Sequence, residues 1–386
     1  MPSFVAFLRL AALVAVAVAV PSPEPASGTE TAKRATCTVN SVASAADLSD
    51  CTSVLIEAFT VPSGGNYHDC CKPQILSRTR SQSYVPFEAA SGATVTMNGD
   101  ITFAKTTAAG PLITFDTENI LFNGGDRNIN GNGALYWDGE GTNGGVAKPH
   151  PFVKFKGFGT FEDVTVLNSP AQAISVGTTG GTAIIQGVTV DNSAGDANGL
   201  GANTDGFDIS ASDVTVSKCV VKNQDDCVAI NSGSSITIED STCSGGHGIS
   251  IGSIATGKTV SGVKIARNTV TTGLYGLRIK VDADATDASV SNVIYEANKV
   301  SGITEYGVLI TQSYPDNDST PGTGAPISGI SFTGGTTSVS VDSSAHTLVV
   351  DCGACSGTWD FSDLDATGGV GHIIAANKAV ISGGTY

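Results

Sequence analysis

Positive charge is scarce in this chain: 20 Lys and Arg stand against 36 Asp and Glu, for a net charge of −16. A surface of that sign argues against nucleic acid as a partner. Charged residues of either sign make up only 15%, so a fold built from helices laced with ion pairs is not expected. Long apolar runs are missing as well. After Leu10–Val20 no stretch approaches the about 20 apolar residues that cross a bilayer, and no membrane association is expected. Neither charge runs nor Pro-rich linkers interrupt the interior, so residues 35–386 read as one domain. Histidine is limited to five. No second His or Cys stands at zinc-ligand spacing around His247, and neither a metal nor another cofactor is expected.

Glycine is plentiful, at 47 residues, and the rest of the chain is dominated by Val, Ile, Ser, Thr and Asn. Residues 1–19, with Arg9 as their single charge and the apolar run at their end, read as a secretory signal cleaved near Ala17 or Ala19. Residues 20–34 are rich in Pro, Ser, Glu, Thr and Ala and stop at the dibasic Lys33-Arg34, as a pro-segment would. The mature chain is then expected to start at Ala35 and to be soluble and exported. Nine cysteines in an exported protein imply several disulfides and at least one thiol left over. The sequon Asn317-Asp318-Ser319 is a candidate glycosylation site.

Short β-rich segments recur at irregular steps: Phe161–Val166, Gly187–Val190, Asp213–Val216, Ser235–Ile238, Gly262–Ile265, Asn292–Tyr295 and Gly329–Phe332. Further strand-like pieces lie between them, among them Cys227–Ile230, Gly248–Ile251, Leu277–Lys280 and Gly307–Ile310. Such a unit cannot bury its apolar face alone and must stack on its neighbours. An all-β parallel β-helix satisfies this better than a hairpin-linked sandwich. Equivalent positions of successive coils then lie about 4.8 Å apart. Motifs one coil apart in sequence become neighbours in space.

Four polar segments gain their meaning from that stacking: Asn203-Thr204-Asp205-Gly206-Phe207-Asp208, Gln224-Asp225-Asp226-Cys227, Gly246-His247-Gly248 and Arg278-Ile279-Lys280. Clustered aspartates can hold one carboxyl protonated and another ionised, as glycosidic hydrolysis requires. Asp205, Asp225 and Asp226 are the candidates, and Asp208 reads as structural. The glycines around His247 leave its ring open to a ligand. Arg278 and Lys280 share one face of a strand, where a cationic pair could grip an acidic substrate against the overall charge, because salt screens repulsion beyond about 10 Å.

These segments, with Asn223 before the second and Gly245–Gly252 around the third, resemble the signature blocks of the polygalacturonases, glycoside hydrolase family 28, in order and spacing over most of residues 35–386. The resemblance implies a single right-handed parallel β-helix, a pectin-lyase-like solenoid, and a secreted, monomeric, fungal-type enzyme. It implies endo-type, inverting hydrolysis of α-1,4-galacturonosyl linkages in pectate, or homogalacturonan. It makes Asp225 the proton donor, Asp205 with Asp226 the pair that activates water, and His247 the support of the acid. Asn203, Arg278, Lys280 and Tyr306 are the implied substrate-binding residues. It pairs Cys37 with Cys51, Cys227 with Cys243 and Cys352 with Cys355, leaving Cys219 over. The stretch His68–Tyr84, with Cys70 and Cys71, departs from the family pattern and reads as an insertion. Alternatives are an exo-acting polygalacturonase, a calcium-dependent pectate lyase on the same fold, and a noncatalytic polysaccharide-binding β-helix.

Overall fold

Strands in which every second side chain is Val, Ile or Phe must bury one face, and this chain does so by coiling. A computed structural model describes residues 36–64, 84–316 and 320–386. Among them every strand pairing is parallel, from Thr36–Val39 on Ser53–Ile56 to Cys355–Asp360 on Lys378–Ser382. The fold is a right-handed parallel β-helix, the hand that parallel crossovers take when right-twisted strands pack back on one another.

Three columns of strands run along it. The first stacks Val153–Phe155, Ile174–Val176, Phe207–Ser210, the start of Val228–Glu239, Ile249–Ile254, the ends of Thr269–Asp282 and Lys299–Tyr314, and His346–Asp351. The second includes Ala183–Gln186, Val214–Ser217, the far half of Val228–Glu239 and Thr259–Ala266. The third includes Thr189–Asp191, Val220–Lys222, Thr242–Ser244 and the first residues of Thr269–Asp282.

Register makes like residues stack. Ile209, Ile230, Ile251, Ile279 and Ile310 occupy one inward column, and all are buried. Fully burying each such side chain contributes about 1.5–3 kcal/mol. Nearer the N-terminus the core is aromatic: Phe122 stacks on Phe161 at 4.4 Å and Phe87 on Phe115 at 5.1 Å. This rigid interior leaves the alternate, outward residues of the first column to carry chemistry.

One detail of the repeat differs from expectation. Gly187–Val190 and Asp213–Val216 are not equivalent, because Val214 pairs with Ala183 in the second column whereas Thr189 pairs with Val220 in the third. Both columns share a Val-Thr-Val alternation and only a short corner separates them, so pattern alone merges them. The disulfides Cys37–Cys51, Cys227–Cys243 and Cys352–Cys355 are formed, and Cys219 is a buried free thiol. No helix among the described residues is long and apolar enough to cross a membrane. The expected signal and pro-segment, the sequon at Asn317, and most of the proposed insertion with Cys70 and Cys71 lie outside the described residues.

Candidate active site

In the first column Phe207, Val228, Ile249, Leu277 and Val308 are in register. Counting two residues back along each coil gives Asp205, Asp226, His247, Tyr275 and Tyr306. The stacking inferred from sequence therefore holds: the acids, the imidazole and the strand bearing the cations sit on consecutive coils of one face. They surround a cavity of about 360 Å³ lined by Asn203, Asp205, Asp208, Asp225, Asp226, His247, Tyr275, Arg278 and Lys280 among others.

Local structure explains why the acids hold still. Asn223 donates from Nδ2 to the carbonyls of Thr204 (3.0 Å) and Asp226 (2.8 Å), and the Gln224 N–H donates to Thr204 Oγ1 (2.9 Å), clipping two turns together. The Cys227–Cys243 disulfide anchors the residue after Asp226. Gly246 and Gly248 adopt φ of +59° and +67°, and a Cβ on either would lie 2.0 Å from a backbone oxygen of the adjacent coil. Those glycines thus permit close coil stacking as well as opening space for the ring. His247 donates its backbone N–H to the Asp225 carbonyl (2.9 Å), and its ring meets Tyr275 edge-on at 5.2 Å.

Both oxygens of Asp225 are held. Oδ1 accepts from the Asp226 N–H (2.8 Å) and bonds His247 Nδ1 (2.9 Å), while Oδ2 accepts from Asn203 Nδ2 (3.0 Å). The Asn203 amide cannot reverse without loss, because its Oδ1 accepts from the Thr142 N–H (3.0 Å). Asp226 is more fully enclosed, at 1% exposed. Its Oδ1 accepts from Ser250 Oγ (2.7 Å) and Arg278 Nη2 (2.8 Å), and its Oδ2 from Lys280 Nζ (2.7 Å). Arg278 and Lys280, expected to grip the substrate, are themselves buried and neutralise this aspartate first. An ammonium and a guanidinium each retain further N–H donors.

Three of the carboxyls are driven in different directions. Burial, reinforced by the charges of Asp225, Asp208 and Asp226, pushes Asp205 well above the ordinary carboxylate range. Its Oδ1 has no hydrogen-bond partner among the described residues. Burial also acts to raise Asp225, but the His247 hydrogen bond and charge, Lys280 and the Asp226 N–H outweigh it and hold it below the usual range. Asp208 is pushed up to about 7, mainly by burial and then by Asp226 and Asp225. A divalent ion is poorly suited here. Ligand atoms of Asp225, Asp226 and His247 lie within 4.8 Å of one another, yet two fixed cations already occupy the Asp226 oxygens.

Tyr306 lies one coil beyond Tyr275 and is not among the cavity-lining residues; it is stacked between Tyr275 (5.8 Å) and His346 (5.9 Å). Sequence reasoning missed Tyr275, Ser250 and Asn231, and set Asp208 aside as structural although it faces the cavity. Tyr275 was findable, since it stands three before Arg278 in phase with His247; Asn231 sits at an irregularity in the ladder that no pattern announces.

Known proteins resemble this chain along most of its length. A profile of glycosyl hydrolases family 28 matches residues 51–382. An endo-polygalacturonase of Sclerotinia sclerotiorum is 43% identical over 329 residues, covering 83% of this chain and 80% of that protein. Endopolygalacturonase I of Aspergillus niger is 39% identical over 345 residues, 87% and 88% of the two chains. Among solved structures, endopolygalacturonase I of Stereum purpureum, complexed with two galacturonate, superposes with a TM-score of 0.85 at 55% identity, covering 91% of this chain and 100% of that one.

Proposed function

Because the chain belongs to glycosyl hydrolases family 28, we propose that it is an endo-polygalacturonase that hydrolyses internal α-1,4-galacturonosyl linkages of pectate, with Asp225 as proton donor. The observation that carries the assignment of roles is the contrast between Asp225, bonded through His247 and Asn203, and Asp205, buried with one oxygen unpartnered in the same cavity.

In the free site burial favours the protonated form of Asp205, while the His247 hydrogen bond and charge, with Lys280, favour the ionised form of Asp225. A galacturonate carboxylate can bind on the spare donors of Lys280 and Arg278. Hydrolysis needs the proton on Asp225, so Asp205 passes one to Asp225 through water, with no net proton uptake. This leaves an acid beside the leaving oxygen and a base able to take a proton from the attacking water, as a single displacement requires. Asp226 holds the cations and helps orient the water. Ligand atoms of Asp225 and Asp226 lie within 4.8 Å, closer than the about 6.5–9.5 Å typical of inverting carboxyl pairs. Enclosure of Asp226 on both oxygens supports inversion nonetheless, since a carboxylate so committed is a poor nucleophile toward carbon.

The enzyme acts as an exported monomer in this reading. The three disulfides suit an oxidising compartment, the N-terminal apolar run suits a secretory signal, and one chain completes the cavity. The test is hydrolysis of polygalacturonate in the presence of a chelator, following viscosity against reducing ends. An early fall in viscosity with saturated products is expected. Reducing ends accumulating without loss of viscosity would point to an exo enzyme, and an ultraviolet-absorbing, metal-dependent product to a lyase. Proton resonance of the first anomer released checks inversion.

A further inference from the structure

The roles above leave one partly buried carboxyl of the cavity unused. Asp208 lies in the outward column Lys154, Ser175, Asp208, Ala229, Ser250, Arg278, one residue per coil. Its immediate neighbours Ser175 and Ala229 are small, so its carboxyl reaches the cavity wall unobstructed, next to Asn231 and Lys280. The charged and titratable groups that face it are Asp205 on the preceding turn, Asp225 and Asp226 on the next coil, His247 and then Arg278 and Lys280 beyond, and Lys154 two coils back. Three of these are acids, and Lys280 is already bonded to one of them.

Resting on the proposed function, we propose that Asp208 is a specificity-determining residue that makes binding of the uronate acid-dependent. As a neutral carboxyl it donates its O–H into the cavity and leaves the Lys280 donors to the galacturonate carboxylate; as a carboxylate it competes with the substrate for that cation. The position of its titration, about 7, places the change above the acidic range and inside a measurable one. Asn231, whose hydrogen bond favours the ionised form, sets part of that position.

The experiment compares KM and kcat for a defined oligogalacturonate from pH 5 to pH 8 in the wild type, Asp208→Asn and Asn231→Ala. If only the neutral form binds, wild-type KM rises about tenfold one pH unit past the midpoint. Asp208→Asn, unable to ionise, should remove that rise, so that its ratio of KM at pH 8 to KM at pH 5 falls to within about twofold of unity. Asn231→Ala should move the rise to higher pH, and a fully methyl-esterified oligomer should show no such rise with the wild type. A KM rise in Asp208→Asn parallel to that of the wild type, or an unmoved rise in Asn231→Ala, overturns the proposal. Stability offers a readout that does not need turnover. A carboxyl whose pKa is raised on folding stabilises fully below its unfolded value near 3.8, and the contribution is lost as pH climbs through 7. Urea midpoints of the wild type should therefore fall between those values more steeply than those of Asp208→Asn, and equal slopes also count against it. A wild type inactive on galacturonan at every pH would instead remove the functional premise.

Discussion

Two polar stacks run through the same coils and differ in one respect. At the corner between the second and third strand columns, Cys219 N–H donates to Ser241 Oγ, Ser241 N–H to Asn268 Oδ1, Asn268 N–H to Asn298 Oδ1 and Asn298 N–H to Thr337 Oγ1, at 3.0 to 3.2 Å. The Nδ2 groups of Asn268 and Asn298 reach the carbonyls of Ile238 and Ile265. Each of these side chains is buried, and each has its partners. On the first column's outer face the stack of Asp205, Asp226 and His247 is built with the same rung spacing, yet Asp205 keeps an unpartnered oxygen and two carboxyls sit far from their ordinary ionisation range. A buried polar ladder that satisfies itself is a structural spine. One left incomplete among like charges holds its deficit in reserve for a substrate.

The largest effect should come from the incomplete stack. Asp225→Asn keeps the shape but removes the transferable proton and turns an amide N–H toward either the Asp226 N–H or the Asn203 amide, so kcat should fall by about 10²–10⁴-fold in a protein that still folds. Turnover remaining near the wild-type level would assign the proton to another group, Asp205 being the first to test.

Next come the cations. Arg278→Ala leaves Asp226 with a single charged partner inside a 1%-exposed site, and breaking one side of a buried pair costs about 3–5 kcal/mol of stability. Lys280→Ala should do the same. Both should also weaken binding of unesterified polymer far more than of methylated polymer. Equal losses on the two substrates would mean that the pair serves Asp226 alone.

How much of this contrast was visible in the sequence follows from what a repeat can express. The coil period brings Asp205, Asp226 and His247 into one column once the strands Phe207–Ser210, Val228–Glu239 and Ile249–Ile254 are recognised, because register depends only on which apolar residues point inward. Pairings set by long loops are not periodic. Thr142 reaches Asn203 across 61 residues of sequence separation, and nothing in either motif announces the other. Protonation was equally hidden. Asp208 looked structural from its place after Phe207, and only the small side chains above and below it show that it opens on the cavity. The double engagement of Asp226 by Arg278 and Lys280 requires side-chain reach across two coils, which strand alternation predicts in direction but not in destination.

The complete stack should answer differently from the incomplete one. Asn298→Ala strands the Asn268 N–H and the Ile265 carbonyl in the core, at a cost of about 1–3 kcal/mol for each group left unsatisfied. The folded fraction should hydrolyse polygalacturonate with a wild-type kcat. A fall in kcat beyond the fall in folded protein would show that the two ladders are coupled.

The smallest effect is expected at the foot of that spine. Cys219 takes part in it through its backbone N–H, which donates to Ser241 Oγ, and not through its thiol, which contacts the Ser217 carbonyl at 3.3 Å. Burial pushes the thiol up to about 12, so at pH 8 almost none of it is the reactive thiolate, and native protein should resist alkylation that denatured protein accepts. Cys219→Ala keeps the ladder bond and removes only one buried sulfur, so it should cost about 1 kcal/mol. Ser241→Ala, which deletes the acceptor itself, should cost more. If the order is reversed, the sulfur is a packing element of the corner and the ladder a lesser one.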